Sequence, residues 1–238
     1  MLVSIVIPFH NEARTLATLL GRAAGAAVPE GTRRELILVD DGSTDDSKAI
    51  AEAFVATGGG SARLLVLPEN QGKGAAMRAG LAAAQGDILL IQDADLEWDP
   101  ADYATLLAPY GDPRVMVVFG SRLLRSDVRT IYPHYYLGGR LLSGFTNLLF
   151  GSRLTDQPTG FKTFRRAALA GITLTAKGFA FDAELTGKLL QAGYAIVEVP
   201  VRYTPRTFRE GKKVRPKDGL IALWVLARIR LRGRRGTS

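Results

Sequence analysis

The sequence predicts an α/β fold built on a mainly parallel sheet with helices on both faces. Two observations carry the prediction. Over the first 95 residues, short apolar, largely β-branched runs alternate with longer amphipathic stretches, in the order strand, helix, strand, helix, strand, helix, strand. Strands buried on both faces read as near-continuous apolar runs, and parallel strands need a crossover helix between them. Three of these strands also end in polar loops, at residues 8–12, 40–42 and 93–97. In a parallel sheet such ends line one edge, where ligands bind.

Residues 4–7 form the first strand, which Pro8 ends, and a helix follows from about Glu12 to Ala27. Residues 35–39 are the second strand. Its loop, Asp40-Asp41-Gly42-Ser43-Thr44-Asp45, turns at Gly42 and offers Thr44 or Asp45 to cap a helix running through Phe54. Asp40 and Asp41 read as ligands or as turn and cap acids, and Glu12 as a ligand or as a first-turn acid favoured by the helix dipole. Residues 58–61 are a flexible glycine-rich tip, and 63–67 the third strand. Asn70-Gln71-Gly72-Lys73-Gly74 opens an alanine-rich helix ending near Gly86. That loop is either a phosphate cradle at a helix N-terminus or a plain glycine turn, because the Walker spacing is absent.

The fourth strand, 88–91, ends in Asp93-Ala94-Asp95, with Glu97 two residues further on. Ionised carboxylates are costly to bury unless a cation offsets them. Their clustering at a strand end suits a hard divalent cation, Mg²⁺ or Mn²⁺, that keeps open positions for water or substrate phosphates.

Composition sets the outer bounds. The chain has 238 residues, enough for one well-buried core, and no cysteine, which excludes disulfides and thiolate metal sites. His10 and His134, the two histidines, are too few for a histidine-rich zinc site. A net charge of +8 predicts attraction to anions. With no basic-aromatic module for nucleic acid, a phosphorylated substrate or an anionic membrane surface leads. The first residues lack the pattern of a signal peptide, and no run reaches the ~20 apolar residues of a spanning helix.

In order and spacing, residues 4–8 with Asn11-Glu12, then Val39-Asp40-Asp41-Gly42-Ser43-Thr44-Asp45, then Asn70-x-Gly72-Lys73-Gly74, then Asp93-Ala94-Asp95 resemble the family-2 glycosyltransferases of GT-A type. The resemblance implies a Rossmann-like GT-A sheet and binding of a nucleotide-diphosphate sugar. It implies donor-binding roles for Pro8, His10, Glu12, Leu38 and Asp40 around base and ribose. Asp93, Ala94 and Asp95 would serve the diphosphate and metal, and Lys73 would face the donor phosphates.

The second half is expected to hold a strand at 115–119, a helix at 134–150 on the acceptor side, a helix after the 155–164 segment, another opening at Gly178, and a last strand at 195–201. It resembles the polyprenyl-phosphate branch, the dolichyl-phosphate glucose and mannose synthases. The carrying segments are Gly120-Ser121-Arg122, Asp156-x-x-x-Gly160-Phe161-Lys162, Phe181-Asp182-x-Glu184 and Pro205-Arg206 with Gly211-Lys212-Lys213. The resemblance implies a dolichyl or undecaprenyl phosphate as acceptor and UDP-glucose or GDP-mannose as donor. Glucose is favoured because Glu97 stands where mannose synthases carry glutamine. The hydrophobic C-terminal spans of some members of the branch have no counterpart here.

A lipid phosphate is already ionised at pH 7, so it needs positioning and charge balance more than a general base. Arg122, Arg140, Arg206, Lys212 and Lys213 are the candidates, each otherwise a solvated surface charge. Asp182 either deprotonates a hydroxyl acceptor, orients the arginines or caps its helix. Glu184 is the alternative base. The last segment, 217–238, sets an apolar run, 220–227, before an arginine-rich tail. It reads as a C-terminal amphipathic helix on an anionic bilayer, or as a core-packing helix with a solvated tail. The catalytic unit would then span 1–216, and the protein would be cytoplasmic and peripheral, at the inner face of the membrane.

Overall fold

A computed structural model of the chain describes residues 1–57, 61–127, 131–178, 180–207 and 215–233. The glycine tip at 58–60 and the acceptor candidates Lys212 and Lys213 lie outside the described residues. Among these residues the strands are β1 (Leu2–Phe9), β2 (Arg33–Asp40), β3 (Ala62–Val66), β4 (Ile88–Ile91), β5 (Val117–Ser121), β6 (Lys162–Arg165) and β7 (Ile196–Pro200). They form one sheet of order β3-β2-β1-β4-β6-β5-β7. β1 to β4 pair in parallel, as do β5 and β7, whereas β6 runs antiparallel to both β4 and β5. The helices are α1 (Leu16–Gly25), α2 (Ser47–Ala56), α3 (Lys73–Ala83), α4 (Tyr103–Leu107), α5 (Pro133–Phe150), α6 (Ala180–Gln191) and α7 (Pro216–Gly233).

Alternate residues of the strands point to opposite faces, and each face carries its own core. Ile5, Ile7, Leu38 and Leu90 pack with Leu16, Leu19 and Leu20 of α1 and with Tyr103 and Leu106 of α4. Val6, Val39, Leu89 and Ile91 pack with Met77 of α3 and Phe181 and Leu185 of α6. This two-sided burial is the reason the strands read as unbroken apolar runs.

Three expectations need correction. Pro8 does not end β1; it pairs with Val39 inside the strand. The ladder to β4 stops at Val6 and Ile91, so the N–H that proline lacks falls beyond the β4 pairing. The first helix begins at Leu16 rather than Glu12, because Asn11 sits at φ 53° and the Glu12 carbonyl accepts from Thr15 and Leu16 in a turn. The helix expected after the 155–164 segment is only a short 3₁₀ turn, Arg166–Leu169, and Lys162–Arg165 before it is strand β6.

The C-terminal helix is one-sided. Ala222, Leu226 and Ile229 are buried, and the first two pack with Leu142 of α5 and Ala183 of α6. Leu220, Ile221, Trp224 and Leu231 are exposed on the same helix.

Candidate active site

The loops after β1, β2 and β4 meet at one edge of the sheet. Asp45 ties the first two together, accepting from Ala13 N–H at 3.2 Å and Ser47 N–H at 3.0 Å. Asp41 is spent on α3: its carboxylate accepts Gln71 and Gly72 N–H at 2.8 and 2.9 Å. Asp40 is buried and accepts Ser43 N–H at 2.9 Å, and the His10 ring shares a 2.9 Å contact with the Asp41 carbonyl. Leu38 is a fully buried core residue, in one apolar cluster with Phe9 of β1 and Ala94 of the loop after β4. Gly74 is explained by packing: a Cβ there would strike the Ala176 carbonyl oxygen. The glycine-turn reading of the 70–74 loop therefore accounts for its glycines.

The turn after β4 is held from behind. Gln92 donates to the carbonyls of Asp93 and Trp98 at 2.9 and 3.2 Å and accepts from the Tyr103 hydroxyl at 2.9 Å. Leu96 sits at φ 60°, a left-handed conformation that costs a branched residue about 1–2 kcal/mol. It folds Glu97 back so that its N–H donates to Asp95 Oδ1 at 3.1 Å.

Two ionic groups fill the edge. Lys73 Nζ lies 2.8 Å from Asp93 and 3.0 Å from Asp182. The fully buried Lys162 lies 3.7 Å from the other Asp182 oxygen. Burial opposes these charges, but Asp182 and Asp93 outweigh it and hold the Lys73 ammonium above its ordinary pKa. Despite burial, Lys73 and Lys162 likewise hold the Asp182 carboxyl below its usual range. In the second group, Arg206 reaches Asp95 at 2.8 Å, Glu12 at 3.3 Å and Glu97 at 3.9 Å. Burial and then the charges of Asp93 and Glu97 push Asp95 up to about 7, against the pull of Arg206.

Arg122 forms a third element. Its Nε and Nη2 donate to both Asp156 oxygens at 2.8 and 3.0 Å, and its guanidinium lies over Tyr203 and Trp98, 4.6 and 5.3 Å from the ring centroids. Glu198 supports Asp156 from below, accepting its N–H at 3.0 Å and that of Thr155 at 2.7 Å. Sequence reasoning missed Glu198, Trp98, Tyr203 and the role of Lys162. An acid inside the apolar strand β7 was the one available signal.

A cavity of about 390 Å³ joins these groups. Its lining combines the charged Lys73, Asp93, Asp95 and Asp182 with Tyr135, Tyr136 and Leu142 of α5 and Ala222 of α7. Arg122 and Arg140 also line it, and the Arg140 guanidinium makes a long 3.5 Å contact with the Tyr136 hydroxyl. Glu184 does not line the cavity. Its carboxylate accepts from Thr175 N–H, Ala176 N–H and Lys188 at 2.8, 2.7 and 2.6 Å, which removes it as a candidate base.

These bonds, against the cost of burial, hold the Glu184 carboxyl below its ordinary value of 4.5. A depressed carboxylate contributes stability in full above the unfolded pKa and loses it as pH falls through the folded one. Glu184→Gln is therefore expected to lower stability by about 1–2 kcal/mol at pH 7 and by much less near pH 3, as read from urea unfolding at the two pH values. An equal loss at both would refute the assignment.

Residues 4–173 match the family described as glycosyl transferase family 2. The chain belongs to that family. A dodecaprenyl-phosphate galacturonate synthase from Rhizobium johnstonii is 33% identical over 178 residues, covering 72% of this chain and 50% of that protein. A polyprenol monophosphomannose synthase from Mycolicibacterium smegmatis is 28% identical over 92% of this chain and 85% of its own length. An undecaprenyl-phosphate 4-deoxy-4-formamido-L-arabinose transferase from Shewanella sediminis is 41% identical over 88% of this chain and 61% of its own. The chain thus spans half the length of the first of these relatives. Among solved structures, glucosyl-3-phosphoglycerate synthase from Mycobacterium tuberculosis, with Mn²⁺, UDP-glucose and phosphoglyceric acid, superposes with a TM-score of 0.68 at 23% identity, over 96% of this chain and 79% of that one. That likeness establishes the GT-A fold for this family-2 member.

Proposed function

We propose that this protein is a divalent-metal-dependent, inverting glycosyltransferase that moves a hexose from a nucleotide-diphosphate sugar to a polyprenyl phosphate. The observation that carries this is the mixed lining of the cavity, which joins carboxylates at the sheet edge to aromatic and apolar side chains of α5 and α7. An anionic headgroup on an apolar chain fits such a space. The names of the three polyprenyl-phosphate relatives agree with that acceptor.

Asp93 and Asp95 fit a divalent ion. Asp95 is raised first by burial and then by the charges of Asp93 and Glu97, and a bound cation would offset both. Mg²⁺ and Mn²⁺ bound with nucleotides draw one or two carboxylates from the protein and the remaining ligands from phosphates and water. Among the described residues no group of three or more His, Asp or Glu forms a ready metal cage, so Glu97, 11% exposed and 3.9 Å from Arg206, is the weaker third candidate. When bound, the ion would stabilise charge on the leaving diphosphate.

Arg122, fixed by Asp156, orients the acceptor phosphate for attack on the anomeric carbon. No base is required of Asp182, whose carboxylate holds Lys73 and Lys162 in place. The same contacts disfavour the hydroxyl-acceptor alternative, because a carboxylate with a lowered pKa is a poor base. Exposed Leu220, Ile221 and Trp224 on α7 and Leu137 and Leu141 on α5 support docking on a membrane surface; the inner, cytoplasmic face is part of the proposal. No helix among the described residues is long and apolar enough to cross a membrane.

The test is release of nucleoside diphosphate with Mg²⁺ or Mn²⁺, using UDP-glucose, the favoured donor, and GDP-mannose, each with and without a short polyprenyl phosphate. Release that depends on the lipid phosphate with one donor is the expected result. Release with a soluble sugar acceptor instead would overturn the acceptor assignment. Donor binding without turnover under any acceptor would point to a non-catalytic module.

A further inference from the structure

Arg206 belongs to the acceptor side by its place in the chain, yet it is bound to the donor side. It follows Pro205, which lines the cavity with Arg122, and its Nη2 lies 2.8 Å from Asp95, 111 residues away. Its Nη1 lies 3.3 Å from Glu12, and its backbone N–H donates to Glu97 Oε1 at 2.8 Å. The strap is reinforced by Thr204 N–H on the Glu97 carbonyl at 2.9 Å and the Tyr203 hydroxyl on Glu97 Oε2 at 3.0 Å.

The form of these contacts is informative. Arg122 and Asp156 make a fork with two matched bonds, the arrangement of a permanent pair. Arg206 instead offers one nitrogen to each acid, and its Nε is buried without a hydrogen-bond partner among the described residues. A buried N–H left unmatched is disfavoured in a permanent pair. Single-point contacts to carboxylates are also the ones a stronger cation displaces.

We propose that Arg206 is the counter-cation the acid cluster holds until a divalent ion takes Asp95, and that its release frees the guanidinium for the acceptor phosphate. The proposal rests on the reading above that Asp93 and Asp95 bind a divalent ion. It ties the position of one arginine to the occupancy of Asp95. It also explains why an arginine near the acceptor side is found on the acids of the donor side.

The experiment follows Mn²⁺ binding by the loss of free-ion signal in electron paramagnetic resonance, for the wild type and Arg206→Gln, with and without UDP or GDP. Without nucleotide, Arg206→Gln is expected to bind Mn²⁺ roughly ten- to a hundredfold more tightly, the scale of one charge-assisted contact removed from the competition. In the wild type, Mn²⁺ should speed hydrogen exchange of the Arg206 guanidinium N–H groups, which Glu12 and Asp95 hold in the metal-free protein. This second readout needs no variant and stands even if Arg206→Gln folds poorly. Equal or weaker Mn²⁺ binding by a folded Arg206→Gln, or unchanged exchange at Arg206 with Mn²⁺ bound, would overturn the proposal while leaving the metal reading intact. Failure of the wild type to bind Mn²⁺ with either nucleotide would overturn both.

Discussion

Asp95→Asn is expected to cut kcat/KM for sugar transfer by about 10³-fold or more while making the metal-free protein relatively more stable as pH rises. The two effects share one cause. Asp95 is pushed up to about 7 by burial and by the charges of Asp93 and Glu97, and Arg206 only partly offsets them. A carboxyl whose folded pKa lies above its unfolded one supports the fold while protonated. That support is present in full below the unfolded value of 3.8 and is lost as pH rises through about 7. Asparagine does not ionise, so the variant escapes the loss.

The stability difference between Asp95→Asn and the wild type should therefore grow in the variant's favour by about 1–2 kcal/mol between pH 5 and pH 8, a figure discounted for residual solvent at the site. Denaturant unfolding of the metal-free proteins at the two pH values measures it. A divalent ion added to the wild type should reduce the pH dependence, and a chelator should restore it. Retained transfer by the folded variant would sink the metal assignment. A pH-independent stability difference would show that the carboxylates at this edge do not repel one another as the geometry indicates.

The parts of the chain legible from sequence are those whose chemistry is local. β1, β2 and β4 are apolar on both faces, so their runs announce them, and the acids after β4 stand out against that run. β6 does not announce itself. It has four residues, Lys162–Arg165, and its first is a lysine that is fully buried. Lys162 can sit there because Asp182, twenty residues later on α6, lies 3.7 Å away. No local pattern records such a partner.

The same holds for Lys73. A glycine-flanked lysine at a helix start suggests phosphate, but its observed partners come from β4 and α6. Side-chain pairings also separate Asp182, whose partner Lys73 is 109 residues away, from Glu184, which looks alike in sequence but pairs within its own neighbourhood. One faces the cavity holding two lysines, and the other anchors the 175–176 segment. The apolar run of α7 suits a membrane surface or a core, and the helix has both a stripe for the core and an exposed apolar face. Only packing against α5 and α6 could reveal which residues fall on which side.

Arg122→Lys is expected to raise the KM for polyprenyl phosphate by about ten- to a hundredfold, with the KM for the sugar nucleotide changed by less than about twofold. Lysine keeps the charge but loses the fork that meets both Asp156 oxygens at 2.8 and 3.0 Å, and it cannot stack flat on Tyr203. The loss should fall on the substrate whose phosphate the guanidinium orients. Arg122→Ala alone would leave Asp156, only 2% exposed, as an uncompensated buried charge, at a cost of about 3–5 kcal/mol in stability. The double variant Arg122→Ala, Asp156→Ala removes both charges and should be more stable than Arg122→Ala, a non-additivity that a double-mutant cycle in denaturant reads directly. The two measurements separate the roles of the pair. A change confined to sugar-nucleotide KM would move Arg122 to the donor side. Additive stability losses would mean that Asp156 finds another partner when the arginine is gone, and the acceptor reading would then have to rest on Arg140 and the cavity wall of α5.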